Sequence, residues 1–108
     1  MSVIRVGAVQ YLNARPLVHG LDDQKDLFSI EFDVPAKCAA LLHERSIDLG
    51  LIPTIEYLRK PNYYLVPDIG VVSHGAVESV ALFTSRPVQA IRSIAVDTSS
   101  RTAATLLR

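Results

Sequence analysis

A strand, a proline and a helix follow one another twice in this sequence, and this pattern constrains the fold more than any other feature. The apolar segment 3–9 leads through a short polar stretch to Pro16. A second apolar segment, 47–52, leads directly to Pro53. Proline is favoured at the first positions of a helix, because its ring fixes φ near the helical value and its missing N–H would have no helical partner there. Each apolar segment therefore predicts a buried strand that ends where a helix begins.

The rest of the chain continues this alternation. Segment 28–33 alternates apolar and polar residues, which is typical of a strand with one wetter face. Pro35 then begins a helix whose apolar stripe contains Ala39, Leu41 and Leu42. The pattern also predicts strands over 63–66, 69–72, 77–84 and 93–97, helices over 16–21, 54–58 and 102–107, and one helical turn over 88–91. Alternating strands and helices favour an α/β fold, a mostly parallel sheet with flanking helices.

Composition and charge exclude several classes of protein. Hydrophobic residues make up 49% of the 108 residues, which supports one modest core, and 11 basic residues balance 11 acidic ones, unlike a nucleic-acid-binding surface. No apolar stretch approaches the roughly 20 residues that a membrane helix needs, and the first residues lack a secretory signal pattern. We therefore expect a cytoplasmic protein that acts on a small molecule, without nucleic acid or membrane as a partner. The single cysteine, Cys38, and the spacing of the histidines predict neither an internal disulfide nor a metal site.

Small polar residues follow the predicted strands at the points where helices begin. Hydroxyl and amide groups of this kind, together with free N–H groups at helix starts, suit a small carboxylate. In a parallel sheet they can meet in one crevice at the carboxyl edge. The candidate substrate-binding residues are Tyr11, Thr54, Ser79, Thr98, Ser99, Ser100 and Thr102, with Asn13 beside them.

Each candidate also has a purely structural interpretation. Asn13 can cap the helix that follows it, and the serines and threonines of 98–102 can cap the last helix. Tyr11 can belong to the core with a hydrogen-bonded hydroxyl, and Ser79 can bond to a neighbouring carbonyl group. Arg15 can be a surface ion-pair partner, which would contribute little to stability.

Three motifs occur in one order along the chain: VGAVQYLNARPL over 6–17, DLGLIP over 48–53 and DTSSRT over 97–102. Together they resemble the chorismate dehydratase family, which belongs to the futalosine pathway of menaquinone biosynthesis. The resemblance implies a fold like the type II periplasmic binding proteins, with substrate held between two lobes. It assigns 1–85 to the first lobe, 86–92 to a crossing segment and 93–108 to the opening strand and helix of a second lobe that is otherwise absent from this sequence.

The same resemblance implies an activity and a set of site residues. Members of the family remove water from chorismate and need no cofactor. By matching position, Asn13 corresponds to the catalytic asparagine, Ser79 to a substrate-contacting serine, and the hydroxyl-rich segment 98–102 to a carboxylate-binding turn. Two other functions stay open, a small carboxylate-binding module of the same fold and the sister enzyme that makes 1,4-dihydroxy-6-naphthoate. The sequence also leaves open whether the protein forms a homo-oligomer.

Overall fold

Regular structure is concentrated in the first sixty residues of the computed structural model, which describes residues 2–60 and 62–107. Strands and helices alternate there, and one further helix lies near the end of the chain. The elements are β1 (Ile4–Val9), α1 (Arg15–Val18), β2 (Phe28–Asp33), α2 (Pro35–His43), β3 (Leu49–Gly50), α3 (Thr54–Arg59) and α4 (Arg101–Leu106), with 3-10 turns at Leu12–Ala14 and Val88–Ala90.

The three strands form one parallel sheet in the order β2-β1-β3. β1 pairs with β2 along its whole length, from Ile4 opposite Phe28 to Val9 opposite Asp33. On its other side β1 pairs with β3, where Gly7 lies opposite Gly50. Parallel strands need a crossover, and helices occupy both crossovers here. The predicted α/β class with a parallel sheet and flanking helices is therefore confirmed.

The core lies where α2 packs on the sheet, and Gly7 makes this close packing possible. A Cβ atom on Gly7 would lie 2.5 Å from Cδ1 of Ile47 and 3.7 Å from Sγ of Cys38. Cys38 is fully buried, and its thiol donates a hydrogen bond to the carbonyl of Ala8 at 3.4 Å. Burial, together with the nearby charge of Asp33, raises the pKa of the Cys38 thiol. Cys38 is thus a small core residue and not an activated nucleophile.

The structure corrects several predicted elements. Four predicted strands, over 63–66, 69–72, 77–84 and 93–97, are wrong, since these residues have no regular structure. A strand is stable only when its backbone groups pair with a neighbour, and the apolar pattern of a segment does not provide that neighbour. β3 is shorter than the predicted strand, and α1 ends at Val18 rather than at residue 21.

The apolar side chains between residues 62 and 97 remain largely in contact with water. Val72 is 89% exposed and Phe83 is 91% exposed. The radius of gyration of 16.3 Å exceeds the value of about 13 Å expected for a compact chain of this length. This part of the chain therefore adds little to the core. The division into lobes at residues 85 and 93 stays a prediction.

Candidate functional site

The turn after β1 carries Tyr11 and Asn13 at the carboxyl edge of the sheet. Tyr11 is 43% exposed, and its carbonyl accepts a hydrogen bond from the N–H of Ala14 at 3.1 Å. Asn13 lies inside the 3-10 turn and is exposed, while Tyr11 and Ala14 occupy the two cap positions without side-chain capping bonds. The interpretation of Asn13 as a helix cap is therefore wrong. Its side-chain amide lies on the surface at the edge of the central strand.

A positive charge lies beside this turn. The guanidinium of Arg15 is 4.5 Å from the centre of the Phe32 ring, a cation–π geometry. Phe32 belongs to β2, next to the residue that ends the strand. Arg15 is therefore placed by an aromatic ring of the neighbouring strand, not by the carboxylate partner that the sequence suggested.

The hydroxyl groups of the 98–102 turn have different tasks. The Oγ of Ser100 accepts a hydrogen bond from the N–H of Ala103 at 3.1 Å and so caps α4, as the sequence predicted. The hydroxyl and the N–H of Ser99 both donate to Asp97, at 2.7 and 2.9 Å, and these bonds lower the pKa of the Asp97 carboxyl. The Ser99 hydroxyl thus acts as a donor within the turn, whereas the Ser100 hydroxyl acts as an acceptor for α4. Thr98 and Thr102 are exposed on either side.

Both turns are attached to the segment 33–36, where β2 ends and α2 begins. The N–H of Gln10 donates to the carbonyl of Asp33 at 3.1 Å. The N–H of Ala36 donates to the carbonyl of Ser99 at 3.2 Å. Residues separated by almost ninety positions in the sequence are in this way brought to one edge of the sheet. Thr54, the exposed first residue of α3, follows β3 at this edge.

Ser79 lines the same cleft as Ser100 of the 98–102 turn. The cleft has a volume of about 780 Å³, and its walls include Ser79, Asp97 and Ser100. Arg86 and Arg92 also line it, so the cleft contains two cations and one carboxylate. Tyr11, Asn13 and Thr54 are not among its lining residues. The structure therefore forms two groups, one at the sheet edge and one in the cleft, with the Ser99–Ser100 turn between them.

Sequence reasoning missed a buried charged cluster around Glu56. Glu56 is only 4% exposed. Its Oε2 lies 2.8 Å from Nε2 of His43, and its Oε1 lies 3.0 Å from Nη1 of Arg59 and 3.8 Å from Nε of Arg101. The other ring nitrogen of His43 is hydrogen-bonded to the hydroxyl of Tyr63, and the two rings stack. We name these five residues the Glu56 cluster.

The Glu56 cluster keeps its carboxylate ionised. Burial opposes ionisation, but the hydrogen bond with His43 and the charges of Arg59 and Arg101 outweigh it, so the pKa of the Glu56 carboxyl lies below its usual value. The side chain of His43 takes part in this cluster and is only 18% exposed. The one sequence signal for this cluster was the position of Glu56. It lies in the first turn of a short helix, three positions before Arg59.

Across residues 2–60 and 62–107, no group of three or more His, Cys, Asp or Glu side chains is arranged to hold a metal ion. In the same residues no helix is long and apolar enough to cross a bilayer.

The chain is thus an α/β protein with polar turns at the carboxyl edge of its parallel sheet, the edge at which open α/β sheets generally bind ligands. The chain belongs to the menaquinone biosynthesis family, whose family model matches residues 4–108. It is 32% identical, over 104 residues, to the chorismate dehydratase of Thermus thermophilus. This alignment covers 95% of the chain but only 38% of that curated relative, so the chain spans about two fifths of its length. No solved structure gives a significant match.

Proposed function

We propose that this chain is the amino-terminal part of a chorismate dehydratase of menaquinone biosynthesis, which works in the cytoplasm on chorismate. The observation that carries the proposal is the connection 33–36, which holds the Asn13 turn by one backbone hydrogen bond and the Ser99–Ser100 turn by another. These are the two turns that the family resemblance assigns to the substrate. The similarity to the Thermus thermophilus chorismate dehydratase supports the same reaction.

The proposed fold of the whole enzyme is that of a type II periplasmic binding protein. Residues 1–85 would form most of the first lobe, 86–92 the crossing segment and 93–108 the start of the second lobe. The parallel sheet of the first sixty residues and the exposed apolar segments after it support this arrangement, because a further sheet would provide the pairing that those segments lack.

The reaction converts chorismate to 3-[(1-carboxyvinyl)oxy]benzoate by loss of one water molecule. A proton leaves C3 and hydroxide leaves C4, and the electrons of the C3–H bond form the double bond that completes the aromatic ring. The ring carboxylate is conjugated with C3, so negative charge develops on it as the proton leaves. Hydroxyl and N–H donors that are already oriented towards this carboxylate would stabilise the charge. The step needs no cofactor.

The cleft and the turns suggest a role for each residue. Ser79, Ser100 and Thr102 would bind the ring carboxylate together with the N–H groups of the turn, and Thr98 and Ser99 would shape the turn. Arg86 and Arg92 supply positive charge in the cleft. Tyr11 and Thr54 would contact the substrate from the sheet edge.

Asn13 is the proposed catalytic residue, but a neutral amide is a poor base. We infer that the enolpyruvyl carboxylate of the substrate itself accepts the proton from C3 and that Asn13 holds this carboxylate in place. The exposed position of Asn13 at the end of β1, free of a capping role, supports this assignment.

Incubation of the full-length protein with chorismate tests the function directly. Formation of the aromatic product, followed by chromatography and mass spectrometry, is the expected result. A ligand that binds and is recovered unchanged would favour the carboxylate-binding module. Turnover of the precursor of 1,4-dihydroxy-6-naphthoate, without turnover of chorismate, would favour the sister enzyme.

Asn13→Asp tests the role of the amide. The variant gains a base, but it also gains a charge that repels the substrate carboxylate, so we expect kcat to fall at least about a hundredfold. Asn13→Ala is the matched variant without the charge and should also remain poor. Full turnover by Asn13→Asp would show that basicity was the missing element and would contradict the substrate-as-base mechanism.

Ser79→Ala tests the cleft. Loss of one hydrogen bond to a charged group should raise KM about tenfold. Ser73→Ala, which removes a hydroxyl that donates to the nearby carbonyl of Gly75 at 3.4 Å, is the control and should leave KM unchanged. Equal kinetics of Ser79→Ala and the native enzyme would remove Ser79 from the site.

A further inference from the structure

Glu56 connects parts of the chain that are distant in sequence. The carboxylate lies on α3 and contacts His43 at the end of α2 through Oε2. Its Oε1 faces Arg59 on the same helix and Arg101 at the start of α4. A buried carboxylate is costly unless it is paired and hydrogen-bonded, and the three basic side chains meet this need together.

The arginines extend the connection along α4. Arg59 donates to Glu56 through Nη1 at 3.0 Å and reaches the hydroxyl of Thr105 through Nη2 at 3.5 Å. Arg101 meets the same carboxylate from the first position of α4. α4 is only six residues long, and a helix this short is not stable on its own, so its position depends on such contacts.

The position of α4 fixes the position of the hydroxyl turn. Ser100 immediately precedes Arg101 and caps the helix. Ser99 comes one residue earlier, and its carbonyl accepts the hydrogen bond from Ala36 at the start of α2. The turn is therefore held at two points, by Ala36 from one side and, through Arg101, by Glu56 from the other.

We propose that Glu56 is a positioning residue that docks α4 against α3 and thereby places the Ser99–Ser100 turn at the carboxyl edge of the sheet. The docking itself follows from contacts in this chain. Its consequence for the substrate rests on the proposed function, in which the turn binds a carboxylate.

The pairing with His43 explains why a carboxylate is suited to this position. An ionised carboxylate can only accept hydrogen bonds, so Nε2 of His43 donates to Glu56. The other ring nitrogen, Nδ1, is hydrogen-bonded to the hydroxyl of Tyr63, so both ring nitrogens have partners. A glutamine in place of Glu56 keeps the shape but loses the charge that both arginines need.

Glu56→Gln in the full-length protein is the first test. Amide hydrogen exchange should accelerate about tenfold or more at Ala103 and Ala104 of α4 and at Ala36, because the charged contacts of Glu56 with Arg59 and Arg101 that hold α4 are lost. The exchange of β1 amides should change much less. In turnover of chorismate, KM should rise about tenfold while kcat changes less than about twofold, because Glu56 does not touch the reacting atoms.

Arg101→Gln provides a second test in case Glu56→Gln does not fold. Its side chain is 46% exposed, so its loss spares the core while still releasing α4. Arg101→Lys keeps the charge and should restore part of the native exchange rate and KM. The matched control is Arg5→Gln, since Arg5 is a similarly exposed arginine paired with Asp48 elsewhere on the sheet. It should alter neither KM nor the exchange of α4.

The outcomes separate the two proposals. If Glu56→Gln or Arg101→Gln accelerates all amides equally and leaves KM unchanged, the cluster serves general stability only and the positioning role is overturned. If the native protein does not turn over chorismate, the proposed function fails, while selective exchange at α4 and Ala36 still supports the docking role of Glu56. Equal exchange in the variants and the native protein overturns the docking role whatever the activity.

Discussion

The segments 2–60 and 62–97 are built from similar apolar and β-branched residues, yet they have very different structures. In the first, β1 is paired on both sides and covered by α2, and Val6, Ala8 and Val9 are buried. In the second, side chains such as Phe83 remain in contact with water. Hydrophobicity alone therefore does not make a strand. A neighbouring strand and a covering helix are also needed.

The connections within each segment explain part of this difference. In the first segment, helices connect parallel strands and cover the sheet they form. In the second, the short predicted strands follow one another with few covering elements, and exposed turns such as the one at Gly75 separate them. Contacts with the first segment are made by Tyr63, which stacks on His43, and near the end of the chain by Ser99 and Arg101.

Substitution of glycine by valine should give the largest contrast between the two segments. Gly7→Val places new atoms against Ile47 and Cys38, where even a Cβ would lie 2.5 Å from Cδ1 of Ile47. We expect a loss of about 2 kcal/mol in the free energy of unfolding, measured by urea denaturation. In Gly70→Val the nearest atom, on Val72, is 3.9 Å away, so the change should stay within about 0.5 kcal/mol. Equal losses would mean that the two segments are packed alike.

Removal of the α4 cap should have a smaller and more local effect. Ser100→Ala loses the hydrogen bond from the N–H of Ala103 at 3.1 Å, which should cost about 1 kcal/mol of helix stability. Amide exchange at Ala103 and Ala104 measures this loss. Ser73→Ala, in an exposed turn of the second segment, should leave those amides unchanged. An unaltered α4 in Ser100→Ala would show that tertiary contacts alone hold the helix.

The smallest effect should be the change in stability on acidification that comes from the exposed ion pair of Arg5 and Asp48. Hydrogen bonds from Arg5 lower the pKa of Asp48 to about 2. Because this pKa is lower in the folded chain than in the unfolded one, the pair stabilises the fold above about pH 4, and the contribution disappears as the pH falls towards 2. Both side chains are about half exposed, 52% and 46%, so solvent screens the pair and the effect should be slight.

Asp48→Asn is the variant that isolates this contribution. Its midpoint of thermal unfolding should lie slightly below that of the native protein at pH 6, and the difference should vanish near pH 2. A difference that grows on acidification would contradict the assigned sign.

Local signals in the sequence were sufficient to predict several of the helices and strands. The alternation of 28–33 indicated β2, Pro35 and Pro53 marked the starts of α2 and α3, and the serines before Arg101 marked α4. These signals depend on neighbours within one or two turns, so they can be recognised from a short window. The opening motif likewise indicated the family that the comparisons then showed.

The site was predictable only in part. Its residue types follow from the motifs, but the cap assigned to Asn13 was wrong, because the chain forms a 3-10 turn before α1. The placement of Ser99 beside Ala36 depends on a contact between residues far apart in sequence. No local sequence pattern predicts a contact between residues so far apart in the chain.

Local signals in the sequence placed the starts of α2, α3 and α4, since proline and serine caps act over a few residues. The tertiary structure decided which apolar segments became strands and which charges became buried, as for Glu56 with His43 and Arg101. The physical reason is that pairing and burial stabilise a segment only when a partner from elsewhere in the chain is present.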